Sequence, residues 1–439
     1  MAPVIIATDK TQLTQFSGNK AAYPVYLTIG NIPKATRRKP SKHACILIAY
    51  LSVEKINCSR INDQEHRSFV QRLFHDSMRI VLKPLIDAGK MGVEMTSSDG
   101  AIRRMHPILT CYVADYPEQC LVACTKYGTC PKCKTPANDL GNPEPAERHS
   151  QEWTEKILDE VKAFANNNPQ KFHSHSMSYD VAGSVYCPFW KGFPFCDIHR
   201  SITPDVLHQL YQGVFKHLVS WCQKVLSPQE LDHRIRALPP AYGLRQFKNG
   251  IFALSQITGT ERKNMVKILL GCLVGVMPLQ GIAAITALLD FIYFAQYSTH
   301  DSFTLGYLKN ALNHFQENRE YFTTTGVRND FHIPKFHSLL HYVEAIEYFG
   351  TTDNYNTEMF ERLHIDFTKY GWRASNQRDE FSQMIGWLSR QEKIASFKVH
   401  QKNQASRPPD PSPETLLWPP PESKKPCISI AKHPNSPNQ

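Results

Sequence analysis

Hydrophobic positions along this chain come in two textures. In the first third they form short runs bounded by turn residues, the pattern of buried strands. Ile108 to Ala114 is such a run and ends on an acid, Asp115, with a second apolar run, Leu121 to Cys124, read as the next strand. Pro3 to Ala7 repeats the device and reaches Asp9. Tyr23 to Gly30 and Cys45 to Leu51 are two further strands, separated by a basic turn from Lys34 to Lys42. Asp63 to Gly89 has helical spacing, with Phe69, Leu73, Met78, Val81, Leu82 and Leu85 assigned to one face. Three strands, a helix and a strand make a mixed α/β order.

The second texture begins after Cys133. Thr135 to Glu147 is rich in Pro and Asn and reads as a loop, and Gln151 to Asn166 as an amphipathic helix. His173 to Arg200 is aromatic and irregular. From Thr203 to about Tyr321 the periodicity is helical, broken at Ser227-Pro228, Pro239-Pro240 and Thr258-Gly259. Further helices are expected from Phe331 to His341, from Asn354 to His364 and from Glu380 to Lys398. The expected organisation is therefore a first core segment over 1–134, a mostly helical insertion over 135–330 and core helices over 331–400. A disordered, Pro- and Ser-rich tail follows over 401–439.

Composition narrows the function. The chain has 439 residues, 41% of them hydrophobic, enough for a sizeable core and more than one domain. Its net charge of +10 suits a polyanion such as DNA. The basic segments Lys34 to Lys42 and Lys369 to Arg378 are the expected contacts. Twelve scattered cysteines do not form the dense framework of a small secreted domain. The long apolar stretch from Met265 to Gln296 carries Lys267, Pro278 and Asp290 and reads as two buried helices, not a membrane span.

Three constellations carry chemistry. Asp9 and Asp115 at strand ends, with Glu361 or Glu358 on a late helix, are carboxylates that could together hold two divalent cations. Hard carboxylate oxygens suit Mg²⁺ (or Mn²⁺). Spacing alone leaves open that these acids are solvated turn residues. Cys130 and Cys133, with His337 and His341 four residues apart, offer two thiolates and two imidazoles for one structural Zn²⁺. Cys124, His173, His175 and His332 are rival ligands, and such a zinc is expected to tie the helix carrying Glu361 to the strand carrying Asp115. Asp205 and His208 form an Asp-x-x-His pair after Pro204, which also reads as a capped helix start with a surface pair.

These residues resemble a known family. The segments Ala7 to Phe16, Tyr23 to Pro33, Ala114 to Glu118, Cys130 to Cys133, Ile202 to Gly213 and Glu358 to His364 are similar to transposases of the Plavaka type, in the CACTA/EnSpm superfamily common in fungal genomes. The resemblance implies an RNase H-like catalytic core with a DDE triad, interrupted by a helical insertion before the final Glu. It also implies the Asp-x-x-His element, Asp205 and His208, expected to orient the flanking DNA strand. In the related V(D)J recombinase catalytic subunit a Cys-x-x-Cys and two downstream histidines share a zinc, which supports the same pairing here. Between the two glutamates, Glu361 is preferred because Glu-Arg at this place resembles the superfamily's pattern. The implied activity is metal-dependent cleavage and transfer of DNA strands in the nucleus, by a homo-oligomer, with no membrane and no small-molecule substrate involved. Full-length relatives carry a long N-terminal region, and nothing before Asp9 corresponds to it, so an N-terminally truncated copy is expected. The alternative function is an inactive or domesticated remnant acting as a zinc-stabilised DNA- or protein-binding module.

Overall fold

A continuous apolar run, Val4 to Ala7, suits the first strand, β1 (Ala2–Thr8), to the middle of a sheet covered on both faces. β1 pairs antiparallel with β3 (Ala21–Ile29), which pairs antiparallel with β4 (Cys45–Leu51). The short β2 (Thr11–Gln12) continues β1 along β3 in the same register after a break at Asp9 and Lys10. On its other side β1 runs parallel to β7 (Pro107–Val113). The computed structural model describes residues 1–14, 20–54, 62–97, 99–254 and 256–405. Phe16 and residues 406–439, which hold most of the expected tail, lie outside them.

The connection from β4 to β7 is the 29-residue helix Asp63–Met91, started by a capping box between Asn62 and Glu65. It buries Phe74, Met78 and Leu82 on one face of the sheet, against Val4 and Ile6. Phe69, assigned to that face from the sequence, is exposed. Nine residues separate it from Met78, about two and a half turns, which places it on the opposite side of the helix. Before β7 the chain makes a hairpin absent from the sequence reading, β5 (Val93–Thr96) with β6 (Ile102–Met105).

Leu121 to Cys124 is not a strand. Asp115 caps the helix Tyr116–Ala123, with Pro117 in its first turn, and Cys124 ends it at φ 55°. The aromatic stretch after it is partly helical, Pro169–Ser178, and then irregular. Phe189, Trp190 and Phe193 of the irregular part bury against the same core as Phe74.

The helical region has its own, larger core. Its main elements are Val206–Val214 running into Phe215–Val225, then Pro228–Ala237, Gly259–Leu273, Leu279–Phe294 and Ser302–Asn318. Residues 238–254 are irregular, where helix with a single break was expected, because Pro239-Pro240 cannot continue one. No described helix is long and apolar enough to cross a membrane. The chain returns to the sheet with Tyr355, Phe360 and Leu363 packing on its second face, against Ile5, Ala7, Cys111 and Val113. The last helix, Glu380–Ala405, runs past Lys398 into the segment assigned to the tail.

Candidate functional site

Strand alternation decides where the first two acids point. Val4 and Ile6 face one core, Ile5 and Ala7 the other, so Asp9 projects from the second face. In β7 the pairing shifts between Val4 and Ile5, skipping Thr110. That bulge leaves Cys111 and Val113 on the second face, and Asp115 follows them. Both carboxylates thus leave neighbouring parallel strands on the face covered by the helix Thr357–Leu363, which carries Glu361.

The three acids share one electrostatic environment. Burial raises the Asp115 carboxyl above its usual range, with Asp9 and Asp205 adding to this and His208 opposing it. Burial pushes Glu361 up to about 7, again against His208 and with Asp9, Asp205 and Glu358. Glu358 is drawn elsewhere, into an ion pair with Lys263 of the helical region. Crowded, half-buried carboxylates that resist ionisation together are suited to divalent cations, and their oxygen donors fit hard ions such as Mg²⁺.

Asp205 and His208 sit in this cluster, not on the surface. Asp205 is 1% exposed and accepts from the Leu207 and His208 amides at 3.1 and 3.0 Å and from Thr357 Oγ1 at 2.7 Å. Its Oδ2 lies 2.5 Å from His208 Nδ1, and His208 Nε2 lies 3.4 Å from Glu361 Oε1. Burial works against a charge on His208, but Asp205 and Glu361 outweigh it and lift the imidazole to about 9. An isolated bridge from Tyr112 to Ile202 lays this segment along the outer edge of β7. Gln119 fastens it there, donating to Ala114 O at 2.8 Å and Thr203 O at 2.9 Å.

Two residues of the site went unassigned from the sequence. Glu118 accepts from Thr8 Oγ1 and from Tyr23 OH, the latter at 2.8 Å, and burial raises it to about 8. His364 Nε2 lies 3.0 Å from Asp9 Oδ2. Both belong to quoted motif segments, and that was the only signal.

Behind the acids, Cys130, Cys133, His337 and His341 are all buried, with ligand atoms within 4.8 Å of one another. Cys133 Sγ is 3.1 Å from His337 Nε2, and Cys130 Sγ is 3.3 Å from His341 Nε2. The neighbouring Cys130 thiol and both imidazoles hold Cys133 far below the usual thiol range, while burial holds Cys130 well above it. His337 Nδ1 faces Leu140 O at 3.2 Å, which turns Nε2 toward the sulfurs. This buried cluster could hold a metal such as zinc. The rivals lie apart from it: Cys124 sits 3.6 Å from His75, His173 on Gly183 O, and His175 against Phe164 and Tyr179, while His332 is exposed.

The histidine pair and Glu361 lie on separate segments, as the sequence suggests. The pair spans Pro334–His337 and the tight turn Ser338–His341, two elements earlier. The knuckle reaches the site by another route. Lys132, between the cysteines, donates to Ile202 O at 2.7 Å, three residues before Asp205. Three residues of the basic turn make contacts within the fold. Lys34 and Arg38 pair with Asp353 at 3.3 and 2.8 Å, and buried Arg37 donates to Gly30, Ile32 and Asn354 carbonyls. These contacts pin the sheet end remote from Asp9.

A family model described as Plavaka transposase matches residues 1–222, which include Asp9, Asp115, the cysteine pair, Asp205 and His208 but not Glu361. No curated protein matches the chain.

Proposed function

The chain belongs to the Plavaka transposase family, whose activity is on DNA, and on that premise we propose that it is a DDE catalytic core. In this reading Asp9, Asp115 and Glu361 hold two Mg²⁺ (or Mn²⁺) ions and cleave and join DNA strands at transposon ends, within the nucleus. The strand order supports an RNase H-like core: antiparallel β1, β3 and β4, then a helix and parallel β7. The observation that carries the proposal is the meeting of three acids, far apart in sequence, on one face of that sheet.

Two bound divalent ions would supply an ionised oxygen nucleophile and offset charge on the leaving oxygen. The chain's own residues do the arranging. Asp9 and Asp115 are fixed by parallel neighbours in the sheet, so their spacing changes little. Glu361 approaches from the covering helix, and His208, itself held by buried Asp205, restrains its carboxylate. In this geometry Asp205 and His208 orient Glu361, beside the flanking-strand role that the resemblance implies for them. Glu358, tied to Lys263, stays outside the triad. A structural zinc at Cys130, Cys133, His337 and His341 would brace the segment that delivers Asp205, through Lys132.

The test is nicking of supercoiled plasmid by the full chain with Mn²⁺. Asp9→Ala, Asp115→Ala and Glu361→Ala should each lower the rate at least ~10³-fold, as removal of a metal-holding group does in a step carried by its ions, with DNA binding nearly unchanged. Nicking that persists in all three variants would reject the assignment.

A further inference from the structure

One histidine at the acid cluster, His364, belongs to neither the triad nor the zinc ligands. His364 Nε2 lies 3.0 Å from Asp9 Oδ2, and its Nδ1 lies 2.9 Å from Tyr26 OH. We propose that His364 is a positioning residue for Asp9, donating Nε2–H to Oδ2 and leaving Oδ1 for the metal, with Tyr26 setting its tautomer. The proposal rests on the reading of Asp9 as a metal-holding carboxylate.

Chemistry fixes the direction of each bond. An ionised carboxylate only accepts, so the proton between Asp9 and the ring belongs to Nε2. In a neutral imidazole Nδ1 is then an acceptor, and the Tyr26 hydroxyl donates to it. Tyr26 is fully buried, and burial holds its phenol far above the ordinary range, so it remains a donor. Among the described residues nothing donates to Asp9 Oδ1.

Packing makes the relay rigid. The His364 side chain is 5% exposed, whereas Asp9 is 43% exposed and otherwise free to change rotamer. The imidazole lies 5.6 Å, ring to ring, from Tyr26, whose backbone pairs with Ala7 two residues before Asp9. His364 follows Glu361 by three residues on one helical run, so both face the sheet. One element therefore carries the third acid and the group that aims the first. Any shift of this helix would disturb both acids at once.

The experiment measures Mn²⁺ affinity of the zinc-loaded full chain by electron paramagnetic resonance of free Mn²⁺, beside plasmid nicking and circular dichroism. His364→Ala should weaken Mn²⁺ binding ~10- to 100-fold, the usual cost of losing a group that orients a metal ligand. kcat should fall with the KM for DNA unchanged, and zinc content should stay the same. His364→Gln, whose amide can donate to Asp9, should recover most of the loss, and Tyr26→Phe should weaken binding a few-fold. Wild-type Mn²⁺ affinity in His364→Ala, or a folded His364→Gln as defective as His364→Ala, would overturn the proposal. If His364→Ala does not fold, Tyr26→Phe decides, and unchanged affinity there overturns it. Asp9→Ala separates the two levels. If Asp9→Ala loses Mn²⁺ and His364→Ala does not, only the positioning role fails. If Asp9→Ala binds Mn²⁺ normally, the triad reading fails and the positioning role with it.

Discussion

Glu358 and Glu361 lie one helical turn apart yet in different surroundings. Lys263 neutralises the first, while the second shares its space with Asp9, Asp205 and His208. Glu358→Ala should therefore leave nicking within a few-fold of wild type and cost at most ~1 kcal/mol of stability, as partly exposed ion pairs do. Chemical denaturation together with the nicking assay checks both. Loss of nicking in Glu358→Ala with retention in Glu361→Ala would move the third acid. Asp205→Ala removes a helix cap and strands the Thr357 hydroxyl, so it should destabilise the fold by about 2–3 kcal/mol. Asp9 and Asp115 were picked out because each ends a short apolar run, and the packing of Ile5, Ala7, Cys111 and Val113 adds the face on which each emerges. The sequence preference for Glu361 came from the Glu-Arg resemblance, while the pairing of Glu358 with Lys263, nearly a hundred positions away, had no local signal. His364 was hidden for the same reason, its two partners lying in the sheet.

The Cys-x-x-Cys loop is the element with the clearest stand-alone prediction. Metal analysis should find about one zinc per chain, and Cys130→Ser should lose it and lower the unfolding temperature, because binding energy at such sites is folding energy. Full zinc occupancy in a His337→Ala/His341→Ala double variant would contradict the ligand set. The loop was legible because two cysteines at that spacing leave few alternatives. What the metal would brace was not, because Lys132 reaches Ile202 only in the folded chain. The helix Tyr116–Ala123 was misread for a different reason. Four apolar residues in a row suit strand and buried helix alike, and the cap at Asp115 was read as a ligand only. The cap is compatible with the proposed ligand role, since the oxygen that accepts from the Glu118 amide at 3.1 Å fixes the Asp115 rotamer. The irregular aromatic stretch was legible as irregular, but not as the cover of the sheet's first face.

At the scale of the whole molecule, charge and buried histidines set the response to solvent. With a net charge of +10, duplex binding should weaken steeply with salt. A surface engaging on the order of six phosphates loses roughly 10³-fold between 50 and 200 mM. The Lys369 to Arg378 segment, close to Glu361 in sequence, is the better candidate surface, since Lys34 and Arg38 of the other basic segment pair with Asp353. Salt-insensitive binding would favour a protein partner. Burial lowers His75, His199 and His217 to about 4 and His149 to about 3, against 6.5 in the unfolded chain. Folded-state values below the unfolded ones mean stability is present above pH ~6.5 and is lost as pH falls toward 4, on the order of 3 kcal/mol for fully buried His75. Glu118 and Glu361, raised to about 8 and 7, act in the opposite sense as pH rises from 4.5, as does His208, raised to about 9, above 6.5; together they offset part of the histidine effect. Denaturant midpoints between pH 7 and 4.5 should fall, with a smaller slope in His75→Gln, and a flat profile would contradict this. The proposed metal site would itself be a property of the whole chain, since a strand near the start, a strand a quarter of the way along and a helix near the end must converge to form it. Anomalous scattering from a crystal soaked in Mn²⁺ tests that convergence directly. The expected result is at least one manganese peak bounded by the carboxylates of Asp9, Asp115 and Glu361. Manganese bound elsewhere with that position empty, or coordinated by Glu358 in place of Glu361, is the result that would contradict it.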